Sequence, residues 1–174
     1  MINKGDLLIS TPESLGDYYF NRSIVILTEV SDEEVVGFII NKELNYTLSD
    51  LNNKVLEKNI KIFSGGPVNQ DNLYFIHKYP HLIENSINFF NDLHWGGDFK
   101  KIIEMINKMK IDNSSIKFFS GYSGWTYNQL IGEVNNGSWV IVKNKANCIF
   151  KRDIKKMWGE KMKKMDEKFK IWSN

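Results

Sequence analysis

At 174 residues, with 42% apolar and 13% aromatic content, the chain can bury the core of one globular domain spanning residues 1–174, and it is too apolar to be disordered. No apolar run approaches the roughly 20 residues of a membrane span, and the N-terminal MINKGDLLIS lacks the apolar core and cleavage site of a signal peptide. The single cysteine, Cys148, excludes an internal disulfide and any Cys-x-x-C site, so a cytoplasmic protein is expected.

The net charge of +2 hides an asymmetry. Residues 143–174 hold eleven Lys/Arg against four Asp/Glu, a net +7, which leaves residues 1–142 at −5. Only Arg22 and Arg152 are arginines, although Arg is the residue best suited to bidentate phosphate and base contacts. Lys, Asn and Ile are all heavily used, as an AT-rich genome would produce.

In chain order, Gly5 to Ser10 reads as a short strand and Thr11 to Asn21 as a loop. Its Tyr18, Tyr19 and Phe20 are expected to pack down. The β-branched run Ser23 to Val30 predicts a strand buried on both faces, and Val35 to Asn41 the second arm of a hairpin. Gly37 within that arm points to a bulge or a close backbone approach. Thr47 to Leu56 predicts a short helix with its cap at Thr47 or Ser49. Asn59 to Ser64 and Leu73 to Ile76 predict strands, and Ser86 to Trp95 one or two more. Asp98 caps the clearest helix, Phe99 to Lys110, in which Phe99, Ile102, Ile103, Ile106 and Met109 form one apolar stripe.

Residues 115–136 (SIKFFSGYSGWTYNQLIGEVNN) form the hub of the chain. A strand-like run leads to a glycine turn at Gly121 and Gly124, flanked by Tyr122 and Trp125, and then to a short helix. Thr126 and Gln129 have the spacing of a capping box. Ser138 to Val142 follows as a strand. From Asp153 onward, Ile154, Met157, Trp158, Met162, Met165 and Phe169 predict a terminal amphipathic helix with a basic outer face. No linker or repeat marks a domain boundary.

The candidate chemistry is incomplete. Gly121-Tyr122-Ser123-Gly124 fails the G-x-S-x-G elbow because the fifth residue is Trp125, so Ser123 reads as a turn serine. His77 and His81 have metal-ligand spacing, but Tyr79-Pro80 between them opposes a helix and no further ligand completes a site. No metal or other cofactor is expected. Gly65-Gly66-Pro67 and Gly96-Gly97-Asp98 are better explained as turns and a cap than as anion sites, and no P-loop exists. The basic terminal helix carries a core-docking stripe, and no sequence-specific nucleic-acid motif accompanies it. Gln129 and Glu133, four apart, share a helix face on which Glu133 can sit with Tyr122 and Trp125 at the mouth of a pocket.

Taken together, several stretches resemble the YqgE/AlgH family of bacterial proteins over almost the full chain. In order they are Gly5-Asp6-Leu7-Leu8-Ile9, Phe20-Asn21-Arg22-Ser23-Ile24-Val25, Gly37-Phe38-Ile39-Ile40-Asn41, Gly65-Gly66-Pro67-Val68, Leu73-Tyr74-Phe75-Ile76-His77, Gly121-Tyr122-Ser123-Gly124-Trp125, and Gln129-Leu130 with Glu133. The family turn usually has Ala at Ser123, Pro-Gly at Tyr127-Asn128, and an acid at Ile131. The resemblance implies an α+β fold, a bifurcated, barrel-like mixed β-sheet with helices packed around it. It implies no established activity, although some members carry the label of transcriptional regulator.

The expectation is therefore a non-enzymatic binding or regulatory protein that meets a protein or small-molecule partner around the 121–133 turn. Its candidate binding residues are Asn41, Gly65, Gly66, His77, Tyr122, Trp125, Gln129 and Glu133. The alternatives are a small-substrate enzyme using His77 and Glu133 as acid–base groups, and a transcriptional regulator acting through DNA or a protein partner.

Overall fold

The β-branched runs become strands with alternate residues committed to opposite cores. β1 (Leu7–Ser10), β2 (Ile24–Val30) and β3 (Glu34–Ile39) form an antiparallel meander in a computed structural model that describes residues 1–14, 16–144, 148–150, 153 and 156–165. Leu7, Ile9, Ile24 and Ile26 face one cluster, whereas Leu8, Val25 and Leu27 face another. Both sides are buried, as a near-continuous apolar run requires.

β4 (Glu43–Thr47) pairs with β5 (Lys61–Ser64), and β6 (Val68–His77), β7 (Ile87–Phe90) and β8 (Leu93–Trp95) form a third group. One long strand, β9 (Ile116–Thr126), joins all three groups. Its first half runs parallel to β5 and antiparallel to β6, and its second half runs antiparallel to β3. β10 (Trp139–Val142) then returns to β1, completing a ten-stranded mixed sheet.

The helices cover this sheet. α1 (Leu48–Leu51) is a single turn. α2 (Phe99–Asn107) lays Ile102 and Ile106 on Ile62, Phe75 and Phe118. α3 (Tyr127–Asn135) docks Leu130 against Val25, Leu27 and Val35. α4 (Met157–Lys163) buries Met157, Trp158 and Met162 in the cluster of Leu7, Phe38 and Phe119, and the Trp158 indole donates to the Ser10 carbonyl at 2.7 Å. Each such side chain contributes about 1.5–3 kcal/mol of burial, so Met157, Trp158 and Met162 of the predicted stripe belong to the core.

Several expectations need correction. The helix expected over Thr47 to Leu56 shrinks to α1, preceded by the unpredicted edge strand β4. There the Asp50 carboxylate accepts from the Thr47 backbone at 2.7 Å. Met109 leaves the apolar stripe: α2 ends at Asn107, and Met109 has φ 51° with its side chain in solvent. Tyr18 is exposed rather than packed. Of the two readings of Gly37, the close approach holds, since a Cβ there would stand 2.6 Å from the Ile26 carbonyl oxygen, and the hairpin's bulge lies across from it at Thr28. Ile154 and Phe169 lie outside the described residues.

Candidate functional site

The glycine turn expected at the hub is a kink inside a continuous strand. Gly121 takes φ +70°, which β9 uses to change partners from β6 to β3 without ending. Gly65 and Gly66 press against the kink. A Cβ on Gly65 would sit 2.1 Å from the Gly121 carbonyl oxygen, and one on Gly66 2.2 Å from Ser123 Oγ. Ser123 is fully buried and donates to the Gly65 carbonyl at 3.0 Å, which ties the two segments together. Its hydroxyl is a cross-brace.

Beyond the kink, α3 begins as the sequence predicts, with Thr126 Oγ1 accepting from the Gln129 N–H at 3.2 Å. The second half of the capping box is not made. The Gln129 side chain runs forward to Glu133, where Nε2 donates to Oε1 at 2.9 Å. The other carboxylate oxygen, Oε2, accepts from the Trp125 indole at 3.0 Å and the Trp139 indole at 2.8 Å. Phe20 stacks on Trp125 at 5.5 Å and meets Trp139 edge-on at 5.2 Å. The structure thus joins Glu133 to Trp125 and Gln129 in one network and adds Trp139, which the sequence reading did not single out.

This network floors a depression of about 500 Å³ whose wall also carries Glu13, Asp17 and Pro67. A second depression of about 360 Å³ adjoins it, sharing Gly124, Trp125 and Gln129 and adding Glu33, Glu34 and Tyr122. A third, of about 350 Å³, shares Glu34 and Tyr122 and adds Glu29, Phe38, Tyr74 and Trp95. The three adjoin through these shared residues and make up one grooved surface. Its described lining holds six carboxylates and no Lys, Arg or His.

The remaining candidates lie elsewhere. Asn41 accepts from the Ile24 N–H at 2.8 Å and donates to the Arg22 carbonyl at 2.9 Å, holding the β2 entry. His77 is fully buried: Nδ1 accepts from the Tyr79 N–H at 3.0 Å, and Nε2 faces the Gly96 carbonyl at 3.2 Å. Burial lowers its pKa to about 4, and the ring is a neutral Nε2–H tautomer. His77 pairs with Ile116 at one end of β9, whereas Trp125 lies near the other end, about 30 Å along the strand, and Glu133 in α3 beyond it. The acid–base partnership of His77 with Glu133 is therefore not assembled. Among the described residues no group of three His, Cys, Asp or Glu is placed to hold a metal.

A buried lysine escaped the sequence reading. Lys117 Nζ donates to the carbonyls of Ile40 and Ile149 at 2.7 and 3.0 Å and sits 3.7 Å from the Phe63 ring centroid. Burial lowers its pKa to about 7, against the opposing influence of Cys148 and Glu43.

The AlgH-like family model (DUF179) matches residues 7–170. The chain belongs to the AlgH-like family. It is 35% identical to a UPF0301 protein of Cytophaga hutchinsonii over 175 residues, covering all of this chain and 96% of the relative. It is 37% identical to a UPF0301 protein of Bacteroides fragilis, covering 99% and 88%. The fold of this AlgH-like chain recurs in a crystal structure of a Corynebacterium diphtheriae protein, with TM-score 0.76, 19% identity and coverage of 100% and 93%. It also recurs in the solution structure of AlgH from Pseudomonas aeruginosa, with TM-score 0.68, 21% identity and coverage of 84% and 80%. Among the described residues, no helix is long and apolar enough to cross a membrane.

Proposed function

We propose that this AlgH-like protein is a non-enzymatic binding protein whose groove engages a basic polypeptide segment. The observation that carries the reading is the lining: six carboxylates, of which Glu29 is shared with Lys4 at 3.6 Å, among Phe, Tyr and Trp residues, with no basic side chain in the described lining. Lys and Arg side chains suit such a surface doubly, because their heads pair with carboxylates and their stems or guanidinium planes lie on aromatic rings. Nucleic-acid phosphates would meet like charge here, so a regulatory role through this face would run through a protein partner.

The test is fluorescence anisotropy with labelled peptides rich in Lys/Arg, in Asp/Glu, or in neither. Saturable binding confined to the basic peptide, weakened by salt and by Glu33→Gln with Glu34→Gln, is the expected result. Equal binding of the neutral or acidic peptide, or none of the basic one at low ionic strength, would overturn the reading.

A further inference from the structure

The two signs of charge on this chain lie on separate surfaces. α4 buries Met157, Trp158 and Met162 and turns Lys156, Lys163 and Lys164 outward, with Lys161 half-buried beside them. Lys156 pairs with Asp153 at 3.5 Å, whereas Lys161, Lys163 and Lys164 form no ion pair among the described residues. Arg22 extends this basic face, exposed and lying over the Trp158 ring at 5.5 Å. No described residue of α4 lines the groove. Of the six groove carboxylates, three are engaged. Glu29 is shared with Lys4, Asp17 accepts from the Tyr19 and Phe20 backbone N–H groups at 2.8 and 2.7 Å, and Glu133 accepts from two indoles. Glu13, Glu33 and Glu34 are exposed, and their carboxylates have no partner among the described residues. An AT-rich genome explains how many lysines the chain has, but not their separation from these acids.

From this separation we infer that the outer face of α4 docks on the acidic groove of a second copy of this chain. Self-docking rests on the groove accepting basic segments, as proposed above, and names one such segment. The contact brings the unpaired lysines of one copy against Glu33 and Glu34 of the other, with their alkyl stems on the half-buried Tyr122 ring. A net charge of only +2 does not hold copies apart by overall repulsion, so the opposed local fields decide how they approach. The two surfaces are unlike, and the contact is therefore heterologous. Its consequence is regulatory. At high concentration the copies cover one another's grooves, and a basic partner has to compete with the chain itself.

The experiment is light scattering on the full chain at about 0.01 M and about 1 M salt, between which the screening length falls from about 30 Å to about 3 Å. A mass above the monomer at low salt, rising with protein concentration and returning to the monomer at high salt, is expected. Lys163→Glu with Lys164→Glu, and separately Glu33→Lys with Glu34→Lys, should each be monomeric at low salt. All four side chains are exposed, and circular dichroism confirms that the fold is kept. An equimolar mixture of the two variants should associate again, because each surface now finds its opposite on the other chain. Lys58→Glu with Lys110→Glu changes the net charge as the helix variant does, at exposed sites outside α4 and the groove, and should associate like the parent. A parent chain that is monomeric at low salt, association indifferent to either pair, equal loss in the control, or no recovery on mixing would overturn self-docking. Basic peptides that bind a chain which stays monomeric would count against self-docking alone. Failure of every basic peptide would overturn the proposed function, and self-docking with it.

Discussion

Trp125 and Trp139 donate their indole N–H groups to the same oxygen of Glu133, from strands on either side of α3 in the chain. One carboxylate therefore fixes the helix to both strands. Glu133→Leu strands two indole donors and should cost about 2–4 kcal/mol, since each orphaned donor forfeits about 1–3 kcal/mol unless water reaches it. Glu133→Gln keeps an oxygen for both indoles and should cost about 1 kcal/mol or less. Urea denaturation monitored by tryptophan fluorescence separates the two, and equal loss in both variants would refute the shared-acceptor account.

Lys117 should be as intolerant of an apolar replacement. Lys117→Met fits the volume but deprives the Ile40 and Ile149 carbonyls of their donor, at about 2–4 kcal/mol. Differential scanning calorimetry would show a lower Tm, and an unchanged or raised Tm would mean that the desolvated charge outweighs its hydrogen bonds.

The pH dependence of stability follows from His77 and Lys117, and both act in the same direction. The folded pKa of His77 is lowered to about 4 by burial, so between that value and the ordinary 6.5 the unfolded chain binds more protons. Its contribution is complete above pH 6.5 and lost as pH falls towards 4, on the order of 2 kcal/mol once solvent screening is allowed for. Lys117, lowered to about 7, makes the unfolded chain the more protonated form from there up to 10.5, so stability rises over that alkaline window. Denaturation midpoints across pH should show both slopes. His77→Gln should flatten the acidic one and Lys117→Met the alkaline one.

Two glycine substitutions should have opposite signs. Gly121→Ala meets φ +70° and the Gly66 carbonyl oxygen at 2.6 Å, and should cost at least about 2 kcal/mol. Gly132→Ala lies inside α3 with open space around the added methyl, and should gain about 0.5–1 kcal/mol. Thermal melts of both variants check the contrast.

What the sequence made legible divides along physical lines. Strands β2 and β3 are readable because Ile24 to Leu27 and Val35 to Ile39 advertise burial on both faces, and α2 because its stripe and the Asp98 cap agree. β4 does alternate, with Leu44 and Tyr46 packed on the core between Glu43, Asn45 and Thr47, but it is only five residues long and runs straight into the helix cap at Thr47. The first half of β6 (Val68 to Asn72) is largely exposed and carries no apolar alternation. Gly121 looks like a turn because glycine near other glycines usually is one, and only the tertiary partner change makes it a kink. At the site, Gln129 and Glu133 are visible as helix neighbours. The link to Trp139 depends on where β10 docks, and that is set by its pairing with β1 far away in the chain. The acidic run Asp32-Glu33-Glu34 reads as an ordinary solvated turn until the hairpin is seen to reach α3, where the Glu33 carbonyl accepts from Tyr127 N–H at 3.0 Å.

The late position of β9 also bears on synthesis. Three separately paired strand groups are complete by residue 95, yet the strand that welds them spans residues 116–126. While the ribosome is still making residues 96–115, β3, β5 and β6 wait with open hydrogen-bonding edges, the template for mispairing between nascent chains. Insertion of one strand into the centre of the sheet, rather than growth at its rim, is a high-contact-order event and should be slow, ahead of the closure of β10 on β1. A chain stalled or truncated before Ile116 keeps those edges open and should be prone to aggregate.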